Sequence, residues 1–203
     1  MIKNIIFDFG RVIVDFDESK MTRAYVKDEA LVPMVRDVVF DRLYWDPLDI
    51  GNITDGEVKA AFSARLPEAL VPLAHAVYDN WIDNVDLVFG IEEAIRAARE
   101  HAEGLYLLSN ISIKFAEEYK EYPVMRRVLA PFDGLVFSGP LHMIKPDAKI
   151  FHYLLDTYGL KAEECLFIDD SIKNTTGAEA VGIHTYLFDG DTARLTAYIR
   201  SLH

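Results

Sequence analysis

Four short apolar runs, Ile5-Ile6-Phe7, Leu105-Tyr106-Leu107-Leu108, Leu135-Val136-Phe137 and Cys165-Leu166-Phe167-Ile168, each stop abruptly at polar residues. They are continuous rather than alternating, which is how strands covered on both faces of a parallel sheet read. The last three begin about 30 residues apart, the length of one βαβ unit. Between them, Ile91, Ala94, Ile95, Ala98 and Ala102 recur at helical spacing, with Gly104 expected to close that helix. Ile150, Phe151, Leu154, Leu155 and Tyr158 mark a second helix, with Pro146 before it and Gly159 after it. A fifth strand is expected at Thr185 to Phe188, and a last helix from about Thr192 to Leu202. The alternation predicts a doubly wound α/β fold around a parallel sheet.

One stretch breaks this rhythm. Between about Asp17 and Asp83 there are helical patches, Glu57 to Leu66 and Ala69 to Trp81, and no convincing strand. We expect a helical subdomain over residues 17–83, inserted into a core made of residues 1–16 and 84–203. With 203 residues and 51% of them hydrophobic, the chain has enough apolar surface for a packed core.

The 21 Lys and Arg against 33 Asp and Glu give a net charge of −12 with no basic run. That argues against a nucleic-acid backbone as partner, while leaving room for a small anion at one cleft. Cys165 is the sole cysteine, which excludes an intramolecular disulfide or a multi-thiolate metal site and fits a reducing compartment. No apolar run approaches the ~20 residues that cross a bilayer, so we expect no membrane anchor and a cytoplasmic monomer or homodimer. His75, His101, His152 and His184 are scattered and suggest no ligand cluster.

The polar residues at the strand ends carry the chemistry. The first run ends in Asp8-Phe9-Gly10, the second in Ser109-Asn110, the third in Ser138-Gly139 and the fourth in Asp169-Asp170. In an open α/β sheet, ligands bind beyond the carboxyl ends of the strands where the strand order reverses, so these groups should converge. Lys145-Pro146 adds a cation nearby. Taken singly, Asp8 would be a turn former, Ser109-Asn110 a cap for the helix entered near Ser112, and Lys145 a solvated lysine. Together, the carboxylates are hard oxygen ligands suited to Mg²⁺, and a carboxylate beside that ion can attack phosphorus while Lys145 and Ser109 stabilise the equatorial oxygens. The adjacent Asp169-Asp170 pair repels unless a cation or donor compensates it.

In order, Asp8, Leu107-Leu108-Ser109-Asn110, Lys145-Pro146-Asp147, and Phe167-Ile168-Asp169-Asp170-Ser171 with Asn174, Gly177 and Gly182-Ile183 resemble the four motifs of the haloacid dehalogenase-like hydrolases. The insertion is similar to that family's helical cap, and Gly51-Asn52-Ile53-Thr54 to a turn found in such caps. The resemblance implies that Asp8 is a nucleophile forming an aspartyl-phosphate and that Ser109 and Lys145 bind phosphate, with Asn110 and Asn174 at the substrate. It implies Mg²⁺ on Asp8, Asp170 and the Gly10 carbonyl, with Asp169 as an acidic partner near the metal or Lys145. The activity implied is a phosphatase for a small phosphorylated metabolite, with sugar phosphates favoured.

Two positions depart from the pattern. Family phosphatases carry a second Asp two residues after the nucleophile as general acid, where this chain has Gly10; Asp15 or Asp17 are candidates to replace it. His142 stands where the family has Gly. Gly10 keeps two rivals open, a metal-free 2-haloacid dehalogenase and a phosphate-ligand-binding protein with impaired catalysis. The Asp-Phe-Gly tripeptide of protein kinases is excluded here, because only seven residues precede Asp8.

Overall fold

The computed structural model describes residues 1–202; His203, the last residue of the expected core, lies outside them. The strands are β1 (Asn4–Phe7), β2 (Val14–Asp15), β3 (Asp86–Leu87), β4 (Gly104–Ser109), β5 (Gly134–Phe137), β6 (Cys165–Asp169) and β7 (His184–Leu187). Five of them form one sheet in the order β5-β4-β1-β6-β7, and every pair in it is parallel. The chain runs outward from β1 through β4 to β5, then crosses to the other side of β1 for β6 and β7. The reversal therefore falls at the carboxyl end of β1.

Every residue of β1, β4 and β6 is buried, as their unbroken apolar runs require. Alternate residues serve opposite faces. Ile5, Phe7, Leu105, Leu107, Leu166 and Ile168 pack with α6 (Ile91–His101) and α12 (Thr192–Arg200). Ile6, Tyr106, Leu108, Cys165 and Phe167 pack on the other side with α10 (Ala148–Tyr158) and α11 (Ile172–Ala180). Gly104 opens β4 rather than closing α6, which ends at Ala102 in extended backbone. Ser138-Gly139 leaves β5 directly into a short helical turn, α9 (Ser138–Leu141), which follows α7 (Ile113–Glu118) and α8 (Pro123–Leu129) along the chain.

After β1 the chain folds back tightly, with the N–H groups of Ile13 and Val14 both donating to the Phe9 carbonyl. It then enters β2, which pairs antiparallel with β3. Between these two strands lie α1 (Glu18–Arg23), α2 (Val32–Val39), α3 (Arg42–Asp49), α4 (Asp55–Ser63) and α5 (Val71–Asp79). They bury a separate apolar cluster that includes Met21, Val35, Trp45, Phe62 and Val77. An aromatic contact joins this cluster to the sheet side: Trp81 packs edge-on against Trp45 and stacks on Phe115 at 6.0 Å.

α3 matters most for the site. Asp41 caps its start by accepting from the Leu43 N–H at 3.0 Å. Its end is a Schellman turn, in which the Asn52 N–H donates to the Pro47 carbonyl and the Gly51 N–H to that of Leu48. Gly51 has φ +76, and a β-carbon there would lie 2.5 Å from the Gly139 carbonyl oxygen of α9. The end of α3 is thereby pressed onto the core beside the mouth of β1.

Candidate active site

The sheet register sets the site. Phe7 pairs with both Leu107 and Ile168, so Asp8 emerges level with Asp169 on the neighbouring strand. The Asp8 N–H continues the ladder by donating to the Ile168 carbonyl at 2.8 Å. Ser109 ends β4 on the other side of Asp8 and is buried.

Lys145 binds the two carboxylates together. Its Nζ donates to Asp8 Oδ1 at 2.6 Å and to Asp169 Oδ2 at 2.8 Å, with the ammonium 5.1 Å from the Phe167 ring centroid. Only 3% of Lys145 is exposed. The Asn110 amide holds the Lys145 backbone from both sides, accepting from its N–H at 2.8 Å and donating to its carbonyl at 3.0 Å. Asn174 Nδ2 donates to both Asp169 oxygens, at 3.1 and 3.0 Å, and the Ser171 N–H adds a further bond of 2.8 Å. The Asn110 and Asn174 amides, expected at the substrate, are thus engaged in holding Lys145 and Asp169. Gly177 lets α11, which carries Asn174, approach this loop: a β-carbon there would sit 2.6 Å from the Pro146 carbonyl.

Asp8, Asp169 and Asp170 each offer a carboxylate oxygen, and the three oxygens lie within 4.8 Å of one another. Against three carboxylates the site sets one buried ammonium. Burial, reinforced by Asp169 and opposed by Lys145, pushes the Asp8 carboxyl up to about 7. Lys145 stands above its ordinary value, because the pull of the two carboxylates outweighs its burial. Asp170 is raised by partial burial and the Asp169 charge, with Arg11 pulling the other way. An all-oxygen donor set with surplus negative charge suits a hard divalent cation such as Mg²⁺.

Asp8, Gly10, Ser109, Asn110, Lys145, Asp170 and Asn174 all line one cavity of about 890 Å³, whereas Asp169 lies behind it and is fully buried. Much of its remaining wall comes from α3 and the turn after it, with Arg42, Trp45, Asp46, Asp49, Ile50 and Asn52, and from Phe16 just before α1. Trp45 is buried in the apolar cluster of the inserted helices and also lines the cavity. A β-carbon at Gly10 would meet nothing within 4 Å, so an acid would fit there and the chain lacks one. Neither suggested substitute reaches the cavity. Asp15 is exposed on β2, and Asp17 is exposed and caps α1 by accepting from the Lys20 N–H. His142 is exposed, and its Nδ1 lies 3.1 Å from the Ile50 carbonyl, so it joins the core to the end of α3.

Sequence reasoning passed over Asp49. It is 5% exposed, it lines the cavity, and among the described residues no group hydrogen-bonds its carboxyl. The signal was its place two residues before Gly51, at the turn that ends α3.

This arrangement of strand ends is that of a known hydrolase class. The sequence profile of the haloacid dehalogenase-like hydrolases matches residues 2–182, and the chain belongs to that family. It is similar to the D-ribitol-5-phosphate phosphatase of Bacteroides thetaiotaomicron, 26% identical over 200 residues that cover 92% of this chain and 91% of that protein. It is also similar to drimenol cyclase drtB of Aspergillus calidoustus, 24% identical over 93% of this chain, and spans about a third (34%) of that longer protein. Among solved structures, the family enzyme bt-2542 of Bacteroides thetaiotaomicron, in complex with magnesium and inorganic phosphate, superposes with a TM-score of 0.69. It is 22% identical, over 94% of this chain and 96% of that one. No helix among the described residues is long and apolar enough to cross a membrane.

Proposed function

We propose that this hydrolase is a Mg²⁺-dependent phosphatase for a small phosphorylated metabolite, a sugar phosphate by preference, acting through an aspartyl-phosphate at Asp8. One observation carries the reading: the Lys145 ammonium, bonded to Asp8 and Asp169, lies beside three carboxylates at the reversal point of the sheet. Residues 17–83 act as the cap, and residues 1–16 with 84–203 as the hydrolase core.

The Asp8 carboxylate attacks phosphorus. Lys145 is fixed by two carboxylates and by the Asn110 amide, so its charge is already aimed when negative charge builds on the equatorial oxygens, and no reorganisation is needed. The Ser109 hydroxyl, at the end of β4, holds a second phosphate oxygen. Asp169 and Asn174 act through Lys145 and orient it. Asp8, Asp170 and the Gly10 carbonyl would hold Mg²⁺, which when bound offsets the carboxylate charge and lets a phosphate dianion approach. The cap excludes water and reads the leaving group.

The surplus of carboxylates supports this reading over a metal-free dehalogenase, since a haloacid anion would meet the same uncompensated charge. The B. thetaiotaomicron relative, named for a polyol phosphate, supports the substrate class. The test is phosphate release from a panel of sugar phosphates, nucleotides and an aryl phosphate, with Mg²⁺ and with chelator, for wild type and Asp8→Asn. Release that needs both Mg²⁺ and Asp8 is expected. Chloride release from 2-haloacids without metal would favour the dehalogenase, and ligand binding without turnover the binding protein.

A further inference from the structure

Resting on the phosphatase reading above, we infer that Asp49 of the cap is the general acid of this enzyme, standing in for the carboxyl missing at Gly10. Three observations carry this. Gly10 leaves open space beside the nucleophile, and Asp15 and Asp17 lie outside the cavity. Asp49 is nine-tenths buried and lines the same cavity as Asp8, near enough to feel its charge, with no hydrogen-bond partner for its carboxyl among the described residues. Its backbone is held in place: the Ser138 hydroxyl donates to the Asp49 carbonyl and bridges it to the core loop at Ile111, while His142 reaches the Ile50 carbonyl. A carboxyl that opens onto the cavity with no internal partner, on a segment fixed by contacts to the core, is placed to meet something from outside the chain.

Its surroundings favour the protonated form. Burial raises the Asp49 carboxyl well above the usual carboxylate range, Asp46 and Asp8 add to that, and Arg42 opposes it. Tyr78 of α5 also feels the Asp49 charge, and His142 approaches from α9. These surroundings favour the form that a leaving group needs.

As Asp8 bonds phosphorus, the ester oxygen leaves with the bonding pair and takes the Asp49 proton. The products are the free alcohol, aspartyl-phosphate at Asp8 and the Asp49 carboxylate. In the second half, that carboxylate takes a proton from water as the water oxygen bonds phosphorus and the phosphorus bond to Asp8 breaks. Phosphate, the Asp8 carboxylate and the Asp49 acid are restored.

The test uses the whole enzyme with Mg²⁺ and two probes, ribitol 5-phosphate and p-nitrophenyl phosphate, on wild type, Asp49→Asn and Asp49→Glu. An alkoxide needs a proton to leave and p-nitrophenolate does not. Asp49→Asn should slow the alkyl ester by roughly 10²–10⁴-fold. First-turnover release of p-nitrophenolate should survive as a burst, followed by slow turnover because the base for hydrolysis is gone. The basic limb of the kcat/KM pH profile should disappear with Asn and return in part with Glu. Equal losses on both esters in the first turnover, or no loss on either, overturn the assignment while leaving the phosphatase reading intact. A wild type that hydrolyses neither ester, or an Asp8→Asn variant as active as wild type, overturns both.

Discussion

Two buried carboxylates, Asp169 of the core and Asp49 of the cap, face the same chemistry from opposite treatment. Asp169 accepts four bonds, from Lys145, from the Ser171 N–H and twice from Asn174. Asp49 accepts none among the described residues. A saturated carboxylate has nothing left to offer a substrate and serves as a fixed support for Lys145. One that opens onto the cavity with no internal partner keeps its capacity for a ligand. The carboxylate on the sheet side of the cavity is thus held by internal bonds, and the one on the helical side is left open.

Substitutions can break that contrast, starting with the largest effect. Asp8→Asn should lower phosphate release with Mg²⁺ on the order of 10⁵-fold, as removal of a nucleophile does, with a retained cooperative thermal melt as the check on folding. Lys145→Ala leaves two buried carboxylates without their cation, and denaturant unfolding should show a loss of about 3–5 kcal/mol. Asn174→Ala strips two bonds from Asp169 and should cost about 1–3 kcal/mol in the same measurement. Thr54→Ala removes the capping box that starts α4, for about 1 kcal/mol, while leaving aryl-phosphate hydrolysis unchanged.

Asp49→Asn should move stability the other way. The folded-state pKa of Asp49 lies above the unfolded value of about 3.9, so folding favours the protonated form. Stability associated with this group is full below that unfolded value and is lost as pH rises through the raised folded one. Asparagine cannot ionise. Thermal melts should show the variant gaining on wild type at neutral pH, with the gap closing near pH 4. A more stable and less active variant is the signature of a group kept for chemistry.

The core half of this site was legible in the sequence, for a physical reason. Strands buried on both faces must be apolar throughout, so β1, β4 and β6 announce their ends, and the first polar residues after them are those that reach the reversal point. The cap half was not. α3 contains Pro47, which reads as a helix stop, and its last turn Asp46-Pro47-Leu48-Asp49 has the composition of a loop. The approach of Gly51 to Gly139 and the bond from Ser138 to the Asp49 carbonyl hold this turn against the core, and no local pattern encodes those contacts. The two-residue strands β2 and β3 are equally silent, being too short to display a period.

That small ribbon has an architectural consequence. Residues 16–85 leave and return through neighbouring strands, so the two ends of the insertion are held at the spacing of a single hydrogen-bonded ladder. Lengthening or exchanging what lies between such clamped ends adds little closure entropy and leaves the sheet's connectivity untouched. The cluster of Asp8, Lys145 and Asp169 can therefore be inherited unchanged while the facing wall of the cavity is rewritten, as a lathe keeps its spindle and changes its chuck.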